Sequence, residues 1–292
     1  MDIIQKLTEE LEVRKWQVEA AVKLIDEGNT IPFISRYRKE VTGALNDEQL
    51  RKLDERLKYL RNLEEKKTQV LSAIEEQGKL TEELRAQIEE AQTQVAVDDL
   101  YRPYRPKRRT RATMAKEKGL EGLADIIRLQ MTGRSLEEEA QAYISEDKGV
   151  ASAEEAVAGA KDILAELISD QADYRTRIRE MTWNEGIVTS EAKDEGQESV
   201  YEIYYHFSQP VSRMAGHRTL ALNRGEAEKM LTVKVEAPEE KIVEWLERQV
   251  IVRDNPNTSP ALREAVEDSY ARLIRPAIER EIRNQLTEQA QD

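Results

Sequence analysis

The sequence predicts a mainly α protein, an elongated assembly of many helices with at most one short strand. Apolar residues recur at spacings of three and four along most of the chain, as helices require. Charged residues make up 35% of the 292 residues and hydrophobic ones only 39%, which is typical of helices that each bury one stripe. Only residues near 230–236 alternate apolar and polar positions as a strand does, and its pairing partner is expected outside this sequence.

Composition and charge exclude several classes of protein. The formal net charge of −13 would repel nucleic acid, so any nucleic-acid binding must come from a local basic patch. The chain has no cysteine, which excludes disulfides and thiol chemistry. Its N-terminus is acidic, and no apolar run approaches the roughly 20 residues that a bilayer requires. We therefore expect a cytoplasmic protein without membrane contact.

The first forty residues have the pattern of a helix-turn-helix-type module. Gly28 is a helix-stopping residue, Thr30 is a capping residue, and Pro32 suits the first turn of the next helix. This second helix leads into a cationic stretch with Arg36, Arg38 and Lys39. Such a hairpin either reads DNA or only packs in a core, and the sequence leaves both interpretations open.

A long helix is predicted to follow from Asp47. Its leucines continue the three-and-four spacing until Glu64 and Lys67 occupy the next two apolar positions. That interruption favours a helical hairpin within the chain over a long dimeric coiled coil.

The most informative stretch is the basic loop, residues 98–119. Pro103 and Pro106 prevent a helix there, and Thr110 is placed to cap the helix that follows. Between residues 101 and 118 there is one acid, Glu117, against the cations Arg102, Arg105, Lys107, Arg108, Arg109, Arg111, Lys116 and Lys118. Tyr101 and Tyr104 lie at its start, where their rings either pack on helices or stack on bases.

The second half of the chain begins with segments of helical spacing and then changes character. A glycine-bearing polar stretch starts at Gly186, so we predict two domains, residues 1–186 and 187–292. The last helix runs to the final residue without a stop signal, which predicts a longer parent polypeptide.

Catalytic and metal chemistry have little support in the sequence. Asp98 and Asp99 are adjacent, so they point to different sides of a helix, and helix capping is the expected role. His206 and His217 are too few for a zinc site. His217 beside Arg218 suits either a phosphate contact or an interior histidine that caps a helix or bonds a carbonyl. We expect no enzymatic activity, no metal and no cofactor.

Four blocks of sequence together resemble the N-terminal region of the bacterial Tex family of transcription accessory proteins. They are residues 31–50, 98–125, 217–226 and 275–283. The family is similar in its core to the eukaryotic elongation factor and histone chaperone Spt-six. Two positions depart from its pattern: Arg102 stands where an apolar residue is usual, and Gly216 where a serine is usual.

The resemblance implies an elongated helical region with a helix-turn-helix-type module. It makes residues 187–292 a connector toward an RNase H-like domain of the YqgF type. Helix-hairpin-helix repeats and a C-terminal RNA-binding OB-fold domain would follow, and none of these domains is in this sequence. Family nucleic-acid binding is expected to depend heavily on the OB-fold domain.

Two functional hypotheses therefore remain open. In the first, the chain binds RNA or DNA, and the candidate residues are Arg36, Arg38, Lys39, Tyr101, Arg102, Tyr104, Arg105, Lys107, Arg108, Arg109, Arg111, His217 and Arg218. In the second, the chain is a scaffold whose arginines pair with carboxylates of the same protein or of a partner. RNA polymerase and other transcription proteins are the protein partners considered.

Overall fold

The computed structural model describes residues 1–291 and confirms the mainly α fold class. The chain divides into two compact units, one from Met1 to Tyr104 and one from Arg105 onward. Each unit has its own cluster of buried apolar side chains. Among residues 1–291, no helix has the length and apolar character needed to span a membrane.

The first unit consists of seven helices packed around one long helix. The helices are α1 Ile3–Leu11, α2 Lys15–Asp26, α3 Ile31–Tyr37, α4 Lys39–Thr42, α5 Asp47–Glu76, α6 Glu82–Glu90 and α7 Gln94–Tyr101. The regularly spaced leucines of α5 form the centre of its core and are almost completely buried. Thr30 caps α3 as the sequence predicts, because its hydroxyl accepts the Phe33 amide at 3.3 Å.

Lys67 explains why the leucine pattern of α5 is interrupted. Its side chain is only 3% exposed, and its ammonium group donates to the Glu89 carbonyl at 2.7 Å. The same group lies 3.1 Å from the Glu64 carboxylate. A buried ammonium requires such partners, so this lysine ties α5 to the end of α6 within one chain.

The second unit is built around α11 and also contains a small sheet. Its helices are α8 Arg111–Glu117, α9 Glu121–Leu129, α10 Leu136–Ala140, α11 Ala153–Ser169, α12 Ala172–Glu185, α13 Gly216–Ala227, α14 Glu239–Val250, α15 Ser259–Asp268 and α16 Arg275–Gln291. Helix α11 packs on α8, α9 and α15. A π-helical segment, Ser269–Ile274, joins α15 to α16 just before Pro276, whose missing amide removes a regular helical hydrogen bond.

Three antiparallel strands form the sheet, in the order β2, β1, β3. The strands are β1 Ile187–Ala192, β2 His206–Pro210 and β3 Leu231–Glu236. Strand β3 lies where the sequence predicts it. The expectations of at most one strand and of a partner outside the sequence are corrected, because β1 pairs with both β3 and β2.

Strand β1 escaped prediction because its buried face is partly polar. Ser190 is 1% exposed and its hydroxyl donates to the Tyr204 carbonyl at 2.7 Å. A serine at a buried position breaks the apolar alternation that marks a strand. Gly186, where the sequence predicts a domain boundary, directly precedes β1 inside the second unit, and the two predicted domains stay a prediction.

Candidate nucleic-acid interface

The basic loop has a fixed exit into α8. Thr110 and Thr113 bond reciprocally: the Thr113 amide donates to the Thr110 hydroxyl at 3.1 Å, and the Thr110 amide donates to the Thr113 hydroxyl at 2.8 Å. This pair satisfies backbone donors at the start of the helix, as the sequence predicts for Thr110. It therefore fixes the backbone from which Arg111 projects.

The tyrosines of the loop are packing residues. Tyr101 and Tyr104 are half-buried, and both pack against the apolar cluster of the first unit. Gln77 donates to the Tyr104 carbonyl at 2.7 Å, which also fixes the backbone there. Arg102, between the two tyrosines in sequence, is half-buried as well. The geometry favours core packing over base stacking for these two rings.

Lys107 is engaged inside the second unit. Its ammonium group lies 3.3 Å from the Glu166 carboxylate and also contacts the Asp170 carboxylate, both at the C-terminal end of α11. The lysine side chain is 22% exposed. A partly desolvated cation held by two carboxylates is poorly available to a ligand, so Lys107 anchors the loop to α11.

The arginines that follow Lys107 have the opposite environment. Arg108, Arg109 and Arg111, called here the arginine cluster, are all exposed. Within residues 1–291 their guanidinium groups have no hydrogen-bond partner and no carboxylate within ion-pairing distance. Arg105 is also exposed. Three consecutive positions, 107–109, thus contain one internally paired lysine and two arginines without such a partner in the described residues.

Arg111 lines a groove of about 400 Å³ together with Lys118 and Asp162. Burial raises the pKa of the Asp162 carboxyl, and the nearby Arg111 and Arg272 oppose that rise. The Asp268 carboxylate accepts two hydrogen bonds from Arg272, at 2.8 and 3.0 Å, and these bonds lower its pKa. Asp162 and Glu155 give the groove acidic walls beside the basic side chains of Arg111 and Lys118.

The other predicted site residues of the first unit, Arg36, Arg38 and Lys39, lie where α3 meets α4. Arg36 and Lys39 are exposed. Arg38 is turned back on its own helix: its guanidinium carbon lies 5.0 Å from the Phe33 ring centre, and it donates to the Tyr37 carbonyl at 2.8 Å. Two of the three predicted cations are therefore directed toward solvent.

His217 and Arg218 begin α13, which packs on α16 and β3 rather than on α11. His217 is exposed, which corrects the interpretation of an interior histidine. Arg218 donates to the Gln209 side chain at 3.3 Å, and its guanidinium carbon lies 5.7 Å from the Phe207 ring centre. Arg218 thus braces strand β2. The structure does not bring this pair together with α8.

The carboxylates considered for catalysis have structural partners. Asp98 and Asp99 lie inside α7 and not at its ends, so the expected capping role is corrected. Asp98 pairs with Lys66 at 2.6 Å, and Asp99 is 1% exposed. Within residues 1–291 there is no group of three or more histidine, aspartate or glutamate side chains placed to hold a metal.

Two exposed aromatic residues were not among the predicted site residues. The chain has three tryptophans, ten tyrosines and two phenylalanines. Of these, all within the described residues, only Trp16 and Tyr37 are exposed, with 49% and 60% of their surface accessible. Their sequence context could have marked them as candidates, because Trp16 follows Arg14 and Lys15 and Tyr37 lies between two arginines.

Comparison with known families matches most of the chain. Residues 1–75 match the model of the Tex-like protein N-terminal domain, and residues 132–292 match the Tex central region-like model. The basic loop lies between the two matched ranges.

Several relatives align along nearly the full chain. YdcI of Bacillus subtilis is 44% identical over 291 residues, and the Transcriptional accessory protein Tex of Neisseria gonorrhoeae is 41% identical over 298. S1 RNA-binding domain-containing protein 1 of Homo sapiens is 30% identical over 306 residues. Each alignment covers 99% of this chain but only 40%, 39% and 30%, respectively, of the relative. The two family models and these alignments show that the chain belongs to the Tex family.

Proposed function

We propose that this chain contributes nucleic-acid binding to a transcription accessory protein, with the arginine cluster contacting phosphates of RNA or DNA. One observation carries the proposal. Arg108, Arg109 and Arg111 are exposed and unpaired within the described residues of a chain whose net charge is −13. Although the chain has 58 acidic residues, no carboxylate of the described residues lies within ion-pairing distance of these three guanidinium groups, so they are available for an external anion.

The chemistry of the arginine cluster suits phosphate. Each guanidinium is a planar fork of N–H donors that matches two phosphate oxygens, and it stays charged at all physiological pH values. Phosphate contacts position a protein on nucleic acid without reading its sequence. The names of two relatives agree with this proposal, since one is a transcriptional accessory protein and another contains an S1 RNA-binding domain.

The test is a binding titration with single- and double-stranded RNA and DNA at about 50 and 200 mM salt. The unmodified chain should lose affinity as salt rises, because binding releases counterions. Each lost phosphate contact reduces the slope of log affinity against log salt by roughly 0.7–0.9. Arg108→Ala/Arg109→Ala/Arg111→Ala should therefore bind more weakly and reduce the slope by about 2–3.

A matched control changes the net charge by the same amount at other exposed arginines of the second unit. Arg128, Arg134 and Arg177 each lie within 3.6 Å of a neighbouring carboxylate. The affinity and the salt slope of Arg128→Ala/Arg134→Ala/Arg177→Ala should be closer to those of the unmodified chain than the values of the arginine-cluster variant are. Equal losses in the two triple variants, or no binding by the unmodified chain, would contradict the proposal.

The second candidate function is a scaffold that positions other domains and contacts transcription proteins, RNA polymerase among them. Lys107 favours it, because this lysine of the basic loop pairs with carboxylates of α11. The two tyrosines that pack in the first unit also favour it. If the chain is only a scaffold, the titration should show no salt-dependent binding of nucleic acid. The scaffold function should not require the arginine cluster.

A further inference from the structure

The two exposed aromatic side chains among residues 1–291 belong to one small group of packed helices. Trp16 lies in the first turn of α2 and Tyr37 at the end of α3. Both belong to residues 14–43, called here the N-terminal module, in which α2 packs on α3 and α4. The remaining aromatic side chains within residues 1–291 are buried or half-buried. An aromatic ring costs free energy to expose, so two in one small module point to a ligand.

Cations lie close to both rings in the sequence. Arg14, Lys15, Arg36 and Lys39 are exposed, and the segment 28–39 contains three cations and no acid. Lys15 has only a long contact of 3.9 Å with Glu19, and in the described part of the chain Arg36 and Lys39 form no ion pair. The whole module has six cations against four acids. It thus combines π-faces with an excess of positive charge, as surfaces for single-stranded nucleic acid do.

We propose that the N-terminal module binds single-stranded nucleic acid, with bases stacked on Trp16 and Tyr37 and phosphates contacted by Arg36 and Lys39. This inference rests on the proposed nucleic-acid binding of the chain and names the class of ligand. It concerns a different surface from the arginine cluster. The two contributions are therefore measured separately.

The geometry favours base stacking over reading of a DNA groove by a recognition helix. Such a helix presents polar side chains to base edges. Here Arg38 is bound back to its own helix, and the end of α3 presents the Tyr37 ring instead. The Phe33 ring lies 5.4 Å from the Tyr37 ring, centre to centre, which restricts its movement.

Trp16 is also held in place before any ligand arrives. A Cβ on Gly43 would lie 2.6 Å from Trp16 Cη2, so the ring rests against the backbone of that turn. Gln17 fixes the same turn by donating to the Thr42 and Gly43 carbonyls at 3.3 and 3.1 Å. Rings that are ordered beforehand lose little conformational entropy when a base stacks on them.

The first experiment follows Trp16 fluorescence in the full chain. Trp183→Phe/Trp245→Phe leaves Trp16 as the single tryptophan and replaces two half-buried rings with similar ones. A thymidine oligonucleotide should quench this fluorescence saturably, and a duplex of equal length should do so far less. Absence of quenching, or equal quenching by the duplex, overturns the proposal.

The second experiment measures the affinity for the same labelled oligonucleotide by fluorescence anisotropy with both native tryptophans retained. Trp16→Ala/Tyr37→Ala should bind the single strand about tenfold more weakly or worse, with an unchanged circular dichroism spectrum. Trp16→Phe/Tyr37→Phe should retain most of the affinity, because its rings still offer π-faces. Unchanged affinity of the alanine variant overturns the proposal and would leave the aromatic pair as a protein-docking surface.

The arginine variant separates the two proposals. If Arg108→Ala/Arg109→Ala/Arg111→Ala binds normally while Trp16→Ala/Tyr37→Ala loses affinity, the arginine-cluster proposal fails and the stacking proposal stands. The opposite result overturns stacking and keeps the arginine cluster. Loss in both variants supports both surfaces.

Discussion

Two segments of this protein combine aromatic rings with cations, and they have opposite environments. In the basic loop, Tyr101 and Tyr104 pack against the core of the first unit. In the N-terminal module, Trp16 and Tyr37 are about half or more exposed. Both segments hold more cations than acids, eight against three in residues 98–119 and six against four in residues 14–43. Local composition therefore identifies candidate surfaces, and packing determines which rings a ligand can reach.

The difference follows from whether each ring belongs to the face that packs on the core. Tyr101 is the last residue of α7, a helix that packs on the long helix α5, so its ring meets the apolar cluster. Trp16 and Tyr37 lie at the ends of α2 and α3, whose buried faces are formed by other residues such as Val18 and Ile34. Their apolar faces are complete without the rings.

The largest effect expected from this comparison concerns stability. Tyr101→Ala/Tyr104→Ala should lower the free energy of unfolding by about 2–4 kcal/mol, because half-buried rings leave a cavity in the core. Trp16→Ala/Tyr37→Ala should change it by less than about 1 kcal/mol, because exposed side chains contribute little. Urea denaturation followed by circular dichroism measures both values. Equal destabilisation by the two pairs would remove the distinction between the segments.

Lys107 provides the next test, within the basic loop. Lys107→Met removes a partly buried cation that contacts Glu166 and Asp170, and should destabilise the protein by about 1–2 kcal/mol. Lys116→Met is the control, because Lys116 is exposed and unpaired within the described residues, and a change within about 0.5 kcal/mol is expected. A null result for Lys107 in thermal or urea denaturation would show that it is not an anchor of the loop.

Two glycine substitutions test whether the position of the Trp16 ring in the N-terminal module matters for binding. Gly43 has a φ of +67° and supports the Trp16 ring, so Gly43→Ala should cost about 1 kcal/mol and weaken oligonucleotide binding. Gly28 has a φ of +91° with open space where a Cβ would be. Gly28→Ala should therefore carry the φ strain without that close contact, cost no more stability than Gly43→Ala, and leave the affinity unchanged. If both variants bind alike, the position of the Trp16 ring does not matter for binding.

The smallest effect concerns Asp162, which shares a groove with Arg111. Burial raises the pKa of this carboxyl above its ordinary value of 3.8, so the folded state favours the protonated form. The stabilisation from protonated Asp162 is fully present below its ordinary pKa, and it is lost as pH rises through the raised pKa of the folded state. Asp162→Asn should therefore become relatively more stable than the unmodified chain over this range, by less than about 1 kcal/mol at pH 7.

The same substitution also tests the arginine cluster. Removing the negative charge beside Arg111 should slightly raise the affinity for nucleic acid and leave the quenching of Trp16 unchanged. Asp125→Asn, at an exposed carboxylate of α9, is the control for charge alone. A pH-independent difference in stability between Asp162→Asn and the unmodified chain would show that the carboxyl titrates alike in folded and unfolded states.

Much of the helical architecture was predictable from local signals. The hydroxyls of Thr30 and Thr110 accept hydrogen bonds from backbone amides at their helix starts, as the sequence predicts. These signals are reliable because a cap is a contact between residues three positions apart. Strands β1 and β2 were missed, since their pairing is long-range and Ser190 occupies a buried position.

The candidate site was predictable only as a set of residues. The charge inversion marked the basic loop, yet nothing in the sequence distinguished Lys107, which is paired with α11, from Arg108, which has no partner in the described chain. The pairing depends on residues about sixty positions away. The exposure of Trp16 and Tyr37 likewise depends on how α2, α3 and α4 pack together.

The sequence by itself determined the helical class, the helix starts, the location of the basic loop and the resemblance to the Tex family. All of these depend on short-range periodicity, capping and motif order. Only the tertiary structure decided which cations are paired, which rings are buried and how the three strands meet. The physical reason is that burial and ion pairing are properties of contacts between distant segments, and local composition does not specify those contacts.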